Sequence, residues 1–201
     1  MIRSILFDLG NVIVPFDIQR GYSALSSNSG LPQHEVAERI SQSGLYGAFE
    51  SGQLETEEFF SKFKSLLGLR CEQKEFREIW NSIFLPDPCT TEELLLELKK
   101  RYRLVLLSNT NDLHYGWLRE RYSLLDHFDA YTLSYSVKAM KPDRRIYAAA
   151  VENAQCRPEE CFFTDDIEKY VLGAREFGID AEQYTGEANL RKQLQQRGLV
   201  D

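Results

Sequence analysis

The sequence predicts an α/β fold: a doubly wound, mostly parallel sheet interrupted early by an all-helical insertion. Three observations predict it. Short apolar runs ending in polar residues alternate with amphipathic stretches along residues 87–201, the pattern of a parallel sheet covered on both faces. One such run also opens the chain, at Ile5-Leu6-Phe7. Between residues 18 and 85 no convincing strand is found, and the apolar residues follow a helical spacing.

The first strand, Ile5-Leu6-Phe7, runs into Asp8 and then the turn residues Gly10-Asn11. Pro32 starts a helix over 33–43. Phe59, Phe60, Phe63, Leu66 and Leu67 mark a helix over 56–67, and Phe76, Ile79, Trp80, Ile83 and Phe84 another over 75–84. Pro86 and Pro88 close this region. Thr90-Thr91-Glu92-Glu93 then offers a capping box for a helix over 92–101. Strand 104–108, helix 113–122 and a weaker strand 130–134 follow. Next come a helix over 143–154 after Pro142, strand 161–164 ending in Asp165-Asp166, and a helix over 168–177 stopped by Gly178. A short strand near 179–184 and a helix over 188–197 complete the chain. The expected division is a core of residues 1–15 plus 87–201 and a helical cap of residues 16–86.

Composition narrows the function classes. With 201 residues, 43% hydrophobic and 27% charged, the chain has the make-up of an ordinary globular protein. A formal net charge of -7 disfavours nucleic acid as a partner. It leaves a phosphorylated substrate open, because a bound cation reverses the local field. No apolar run approaches the roughly 20 residues of a membrane span, and the N-terminus lacks the apolar stretch of a secretory signal. The expected location is cytoplasmic, with no membrane partner; oligomeric state stays open. Cys71, Cys89, Cys156 and Cys161 form no C-x-x-C pair and read as reduced, mostly buried thiols. His34, His114 and His127 show no metal-ligand spacing.

The polar residues fall where such a fold binds ligands, at the carboxyl ends of its strands. Asp8 follows the first strand, Ser108-Asn109-Thr110-Asn111 follows the second, and Asp165-Asp166 follows a third; Lys141-Pro142 precedes a helix. Singly, each has a bland reading. A strand-end Asp is most often a turn or cap residue, Ser-Asn a helix N-cap, and a Lys a solvated charge. Their order and placement, with the helical interruption, make the group resemble the haloacid dehalogenase (HAD) superfamily over nearly the whole chain. Phe7-Asp8-Leu9-Gly10-Asn11-Val12, Leu107-Ser108-Asn109, Lys141-Pro142, and Phe163-Thr164-Asp165-Asp166 with Gly173-Ala174 look like its four motifs. The Phe-Asp-Leu-Gly-Asn start, the Ser-Asn-Thr-Asn segment and Ala48-Phe49-Glu50-Ser51-Gly52-Gln53-Leu54 resemble the group that dephosphorylates sugar phosphates such as α-glucose 1-phosphate.

The resemblance implies Mg²⁺-dependent hydrolysis of a small phosphate ester through an aspartyl-phosphate on Asp8. A carboxylate and a phosphate repel each other, so a cation must lie between them, and Mg²⁺ suits a site of oxygens only. Asp8, the Gly10 carbonyl and Asp166 are the implied ligands, with Asp165 beside them. Ser108, Asn109, Lys141 and the backbone near Gly10 and Asn11 are the implied phosphate contacts. Most such enzymes carry a second Asp two residues after the nucleophile as general acid and base. Here that position is Gly10. Asp17, Glu50 and His114 are candidates to replace it, unranked. Tyr170 stands where related motifs often place Asn. Tyr22, Tyr46, Phe49 and Glu50 face either the substrate or the cap's own core. Gly10 also keeps a second reading open, a catalytically weak or inactive phosphate-ligand binding module. Dehalogenation needs no Mg²⁺ and is disfavoured by the paired Asp165-Asp166. A two-component receiver is disfavoured by motif order.

Overall fold

The computed structural model describes residues 1–201. Five strands form one parallel sheet in the order β3-β2-β1-β4-β5: β1 (Ser4–Phe7), β2 (Arg103–Ser108), β3 (Ala130–Leu133), β4 (Cys161–Asp165) and β5 (Asp180–Gln183). Every residue of β1 and β4 is buried, which explains why these strands read as unbroken apolar runs rather than alternating ones. From β1 the chain builds outward through β2 to β3, then crosses back to β4 and builds outward to β5. Connections therefore leave β1 and β4 in opposite directions, and the crevice at their carboxyl ends is the topological switch point.

Eleven helices accompany the sheet. α1 (Ile18–Ser29), α2 (Gln33–Ser43), α3 (Leu45–Glu50), α4 (Thr56–Leu67) and α5 (Gln73–Asn81) come between β1 and the rest. α6 (Glu92–Lys99), α7 (Asp112–Arg121), α8 (Ser134–Val137), α9 (Arg144–Ala154), α10 (Glu168–Phe177) and α11 (Glu187–Gln196) flank the strands. No helix is long and apolar enough to cross a membrane.

Three apolar clusters hold the layers. Phe7, Leu95, Leu106, Phe162 and Leu194 belong to the cluster on one sheet face; Leu6, Val105, Ile146, Phe163 and Val171 belong to that on the other. The third lies among α1–α5, where Leu25, Val36, Phe59, Phe63, Phe76 and Trp80 pack together. The two chain segments joining this helical layer to the sheet pair with each other: Asp17 N–H donates to the Ile83 carbonyl at 2.8 Å and Leu85 N–H to the Pro15 carbonyl at 2.9 Å. That pairing ends α5 at Asn81, earlier than the apolar spacing through Phe84 predicts.

Two further expectations are corrected. Thr90 is fully buried and donates its hydroxyl to the Val12 carbonyl at 2.6 Å, so Thr91 caps α6 instead, and Glu187 of α11 accepts from the Thr91 amide at 2.6 Å. The cysteines are all free thiols, but only Cys71 and Cys161 are buried; Cys89 and Cys156 are half-buried, with the Cys156 sulfur 3.4 Å from that of Cys161.

Candidate active site

Asp8 leaves the end of β1, only 7% exposed. Asp165 closes β4, and Asp166 follows it, partly exposed. Carboxylate oxygens of the three lie within 4.8 Å of one another. Lys141, 3% exposed, places its Nζ 2.7 Å from Asp8 and 2.6 Å from Asp165, and donates to the Leu107 carbonyl at 3.0 Å. Asp165 uses its other oxygen to accept from the Ile167 amide at 2.8 Å. Both Asp165 oxygens are thus engaged by protein donors, Asp8 accepts from Lys141, and Asp166 has Asn11 at 3.3 Å.

The balance of charge follows. Three carboxylates meet one ammonium, and the low dielectric magnifies the surplus. Burial, with Asp165 alongside, outweighs Lys141 and pushes Asp8 up to about 7. Burial also raises Asp166 against the pull of Asn11. For Lys141, burial pulls downward, but the two carboxylates together hold the ammonium above its usual range. An oxygen-only cluster with surplus negative charge is the donor set a hard divalent cation requires.

The loops around this cluster use their side chains to brace it. Asn109 spans the Lys141 backbone, accepting from its amide at 2.7 Å and donating to its carbonyl at 3.2 Å. Asn11, at φ 53°, turns the chain back, with its amide donating to the Val14 carbonyl at 2.9 Å and its side chain 3.3 Å from Asp166. Ser108 is 2% exposed and lines the cleft. Asn111 caps α7 by accepting from the His114 amide at 3.0 Å.

The cleft, of about 80 Å³, has Gly10, Ser108, Asn109, Thr110 and His114 of α7 on the sheet side and Phe16, Tyr46, Glu50 and Ile83 on the other. Ile18, Tyr46, Ile83 and His114 also line a neighbouring apolar chamber of about 410 Å³ inside the helical layer, walled by Tyr22, Leu25, Ile40, Ile79 and Trp80. Tyr22 and Tyr46 thus face open space. Phe49 does not: its ring stacks on Phe59 at 4.0 Å within the layer's core. Asp17 lies outside the cleft, exposed, capping α1.

Sequence reasoning did not anticipate three participants. Phe16 covers Gly10 so closely that a Cβ there would lie 2.8 Å from its ring. The Tyr170 ring stands 5.1 Å from Lys141 Nζ, a cation–π wall rather than packing alone. Ser134 ties the layers together: its hydroxyl donates to the Glu50 carbonyl at 2.6 Å and accepts from the Thr110 amide at 2.9 Å. Only the Tyr170 position carried a signal, as a departure from the expected Asn.

Comparison with known proteins identifies the family. D-ribitol-5-phosphate phosphatase of Bacteroides thetaiotaomicron is 28% identical over 200 residues, spanning 96% of this chain and 97% of that protein. A HAD family enzyme from Bacteroides thetaiotaomicron, solved in complex with magnesium and inorganic phosphate, superposes with a TM-score of 0.82 at 30% identity over 91% of this chain and 94% of that one. A HAD-like family hydrolase from Porphyromonas gingivalis gives a TM-score of 0.76 at 25% identity over 91% of each chain. The family model for haloacid dehalogenase-like hydrolases matches residues 2–178, from β1 through α10 and so across every strand end that carries the acidic cluster and its lysine: this chain belongs to that family.

Proposed function

We propose that this protein hydrolyses a small phosphate monoester, with Mg²⁺, through an aspartyl-phosphate on Asp8. The observation that carries the reading is the buried Asp8–Lys141–Asp165 contact with Asp166 beside it, a negative surplus that a divalent cation would complete. Asp8, Asp166 and the Gly10 carbonyl would hold that cation, whose charge draws the phosphoryl oxygens to the nucleophile. Asp165, engaged on both oxygens, orients Lys141 rather than competing for the metal.

Lys141 holds Asp8 by one hydrogen bond, spends its other two protons on Asp165 and the Leu107 carbonyl, and acts on the phosphoryl group as a fixed positive charge beside it. Asn109 fixes Lys141 through its backbone, and Ser108 offers a hydroxyl from the cleft wall. Preorganised charge of this kind is the main aid phosphoryl transfer needs. Residues 16–86 act as a cap that excludes water and receives the leaving group. The substrate is a sugar or polyol phosphate: the ribitol-phosphate relative supports this. The aromatic chamber behind Tyr46 suits the carbon face of such a leaving group.

The test is phosphate release from p-nitrophenyl phosphate and a panel of sugar and polyol phosphates, with Mg²⁺ or with EDTA. Release that needs Mg²⁺ and falls roughly 10⁴-fold or more in Asp8→Asn is expected. Absence of release from every ester, with Mg²⁺ still bound, would replace this reading by a phosphate-ligand binding module. Gly10 is the observation that keeps that second reading in play.

A further inference from the structure

Ester hydrolysis moves two protons, one onto the departing oxygen and one off the attacking water, and a positioned side chain speeds such transfers by about 10²–10⁴-fold. Position 10 has no side chain to do this, and the Phe16 ring occupies the space where one would begin. The titratable side chains on the cleft wall are Tyr46, Glu50 and His114.

His114 is set up to stay neutral and inert. The Asn81 side-chain nitrogen donates to the Arg77 carbonyl at 2.7 Å, which turns the Asn81 oxygen toward His114 Nδ1 at 2.7 Å. Nδ1 therefore carries the proton and spends it there, while burial lowers His114 to about 3. Burial and the nearby Glu50 hold the Tyr46 hydroxyl well above its ordinary value.

Glu50 differs from both. It is only 7% exposed and makes no salt bridge. Its backbone is clamped to the sheet side twice over. Ser134 links its carbonyl to Thr110, two residues past Ser108, and Gly52, at φ +66°, approaches so closely that a Cβ would lie 2.1 Å from the Tyr135 carbonyl oxygen. The backbone that carries this carboxyl is thus fixed to the loop that carries the site even though it belongs to the helical layer, and the side chain lines the cleft. Its titratable neighbours are Tyr46 on its own helix, Lys141 and Tyr170 at the sheet edge, and His114 across the cleft. Burial pushes it up to about 7, against the pull of Tyr46 and Lys141, which leaves it able both to give and to take a proton near neutrality.

We infer that Glu50 is the general acid and base of this site, reaching the reacting oxygen from across the cleft in place of a side chain at position 10. The inference rests on the phosphatase reading above. As an Asp8 oxygen bonds to phosphorus and the ester P–O bond breaks, the Glu50 carboxyl passes its proton to the departing oxygen, which leaves as the alcohol. Water then attacks phosphorus, giving a proton to the Glu50 carboxylate, and the P–O bond to Asp8 breaks. Inorganic phosphate leaves with Asp8 ionised and Glu50 protonated again.

The test compares p-nitrophenyl phosphate, whose leaving group needs no proton, with ribitol and n-propyl phosphates, whose leaving groups do. For Glu50→Gln, kcat/KM on the alkyl esters is expected to fall about 10²–10⁴-fold relative to p-nitrophenyl phosphate. A burst of p-nitrophenol should precede slow turnover as aspartyl-phosphate accumulates. Equal losses on both ester types, or none, overturn the assignment. Should Glu50→Gln not fold, the wild-type pH profile decides. The acid form is lost as pH rises through about 7, so the ratio of alkyl-ester to p-nitrophenyl kcat/KM, in which the ionisation of Asp8 cancels, should decline there; a level ratio overturns the assignment. Wild type without Mg²⁺-dependent release from any ester overturns the phosphatase reading as well, whereas an active wild type with an unaltered Glu50→Gln overturns this one alone.

Discussion

At the sheet edge, Lys141 is 3% exposed and wedged between two carboxylates; in the helical layer, Phe59 is fully buried, with the rings of Phe49, Phe63 and Trp80 centred 4.0, 5.1 and 5.0 Å away. The two regions are equally dry and opposite in content. Burying carbon stabilises by roughly 25 cal/mol per Å². Burying ions costs several kcal/mol for each, and pairing at best offsets that loss. A chain under selection for stability alone would fill the sheet edge with carbon. That it buries charge there instead is what singles this edge out as the candidate site, and the aromatic layer supplies stability that the charged edge does not.

Lys141→Met strikes that comparison hardest. It leaves Asp8 and Asp165 buried without their partner, so turnover should disappear and stability fall by about 3–5 kcal/mol in urea unfolding. A protonated carboxyl carries no charge to bury, so the deficit should shrink as pH is lowered. Adding Asp165→Asn should recover much of the stability and none of the turnover. Recovery of turnover in the double variant would show that the lysine serves its neighbours and not the reaction. Phe59→Ala should cost a similar amount, about 3–5 kcal/mol, by opening a cavity among the rings. The folded fraction should keep p-nitrophenyl phosphate kcat/KM at low temperature. Loss of activity with the fold intact would mean that the aromatic cluster does more than hold the helical layer together.

The same contrast explains what could be read in advance. α2 and α4 match their expected bounds because strong apolar spacing and clear end signals acted together. Asp8, Ser108 and Asp165 were legible because an apolar run that stops at a polar residue announces a strand end in this fold. Contacts across long stretches of sequence were not. Lys141 and Asp8 are 133 positions apart, and no local pattern shows that one ammonium grips two carboxylates. Nor does spacing show that Phe16 covers Gly10, or that Ser134 fastens Glu50 to the loop after β2. α3, six residues long, forms because its neighbours hold it, since so short a helix is unstable alone. Thr90 and Thr91 are identical residues in adjacent positions; only the burial of the first against Val12 decides which one caps α6.

Asp17 marks the boundary between the two regions and provides the finest test of it. By composition it is as good an acid as Glu50, and it lies closer in sequence to Asp8. In the structure it is solvent-exposed at the start of α1, and its carboxylate accepts from the Gln19 amide at 2.9 Å. Its work is to satisfy a helix end, so Asp17→Ala should cost only about 1 kcal/mol of stability. The ratio of alkyl-ester to p-nitrophenyl phosphate kcat/KM should not move, since that ratio reads proton delivery at the departing oxygen and Asp17 faces solvent. A fall in the ratio would place a proton donor on the sheet-side connection instead of α3. Glu50 would then be a buried carboxyl with a structural duty, and the division between a charged, reactive sheet edge and an apolar, stabilising helical layer would need only the first fifteen or so residues and the strand ends to account for catalysis.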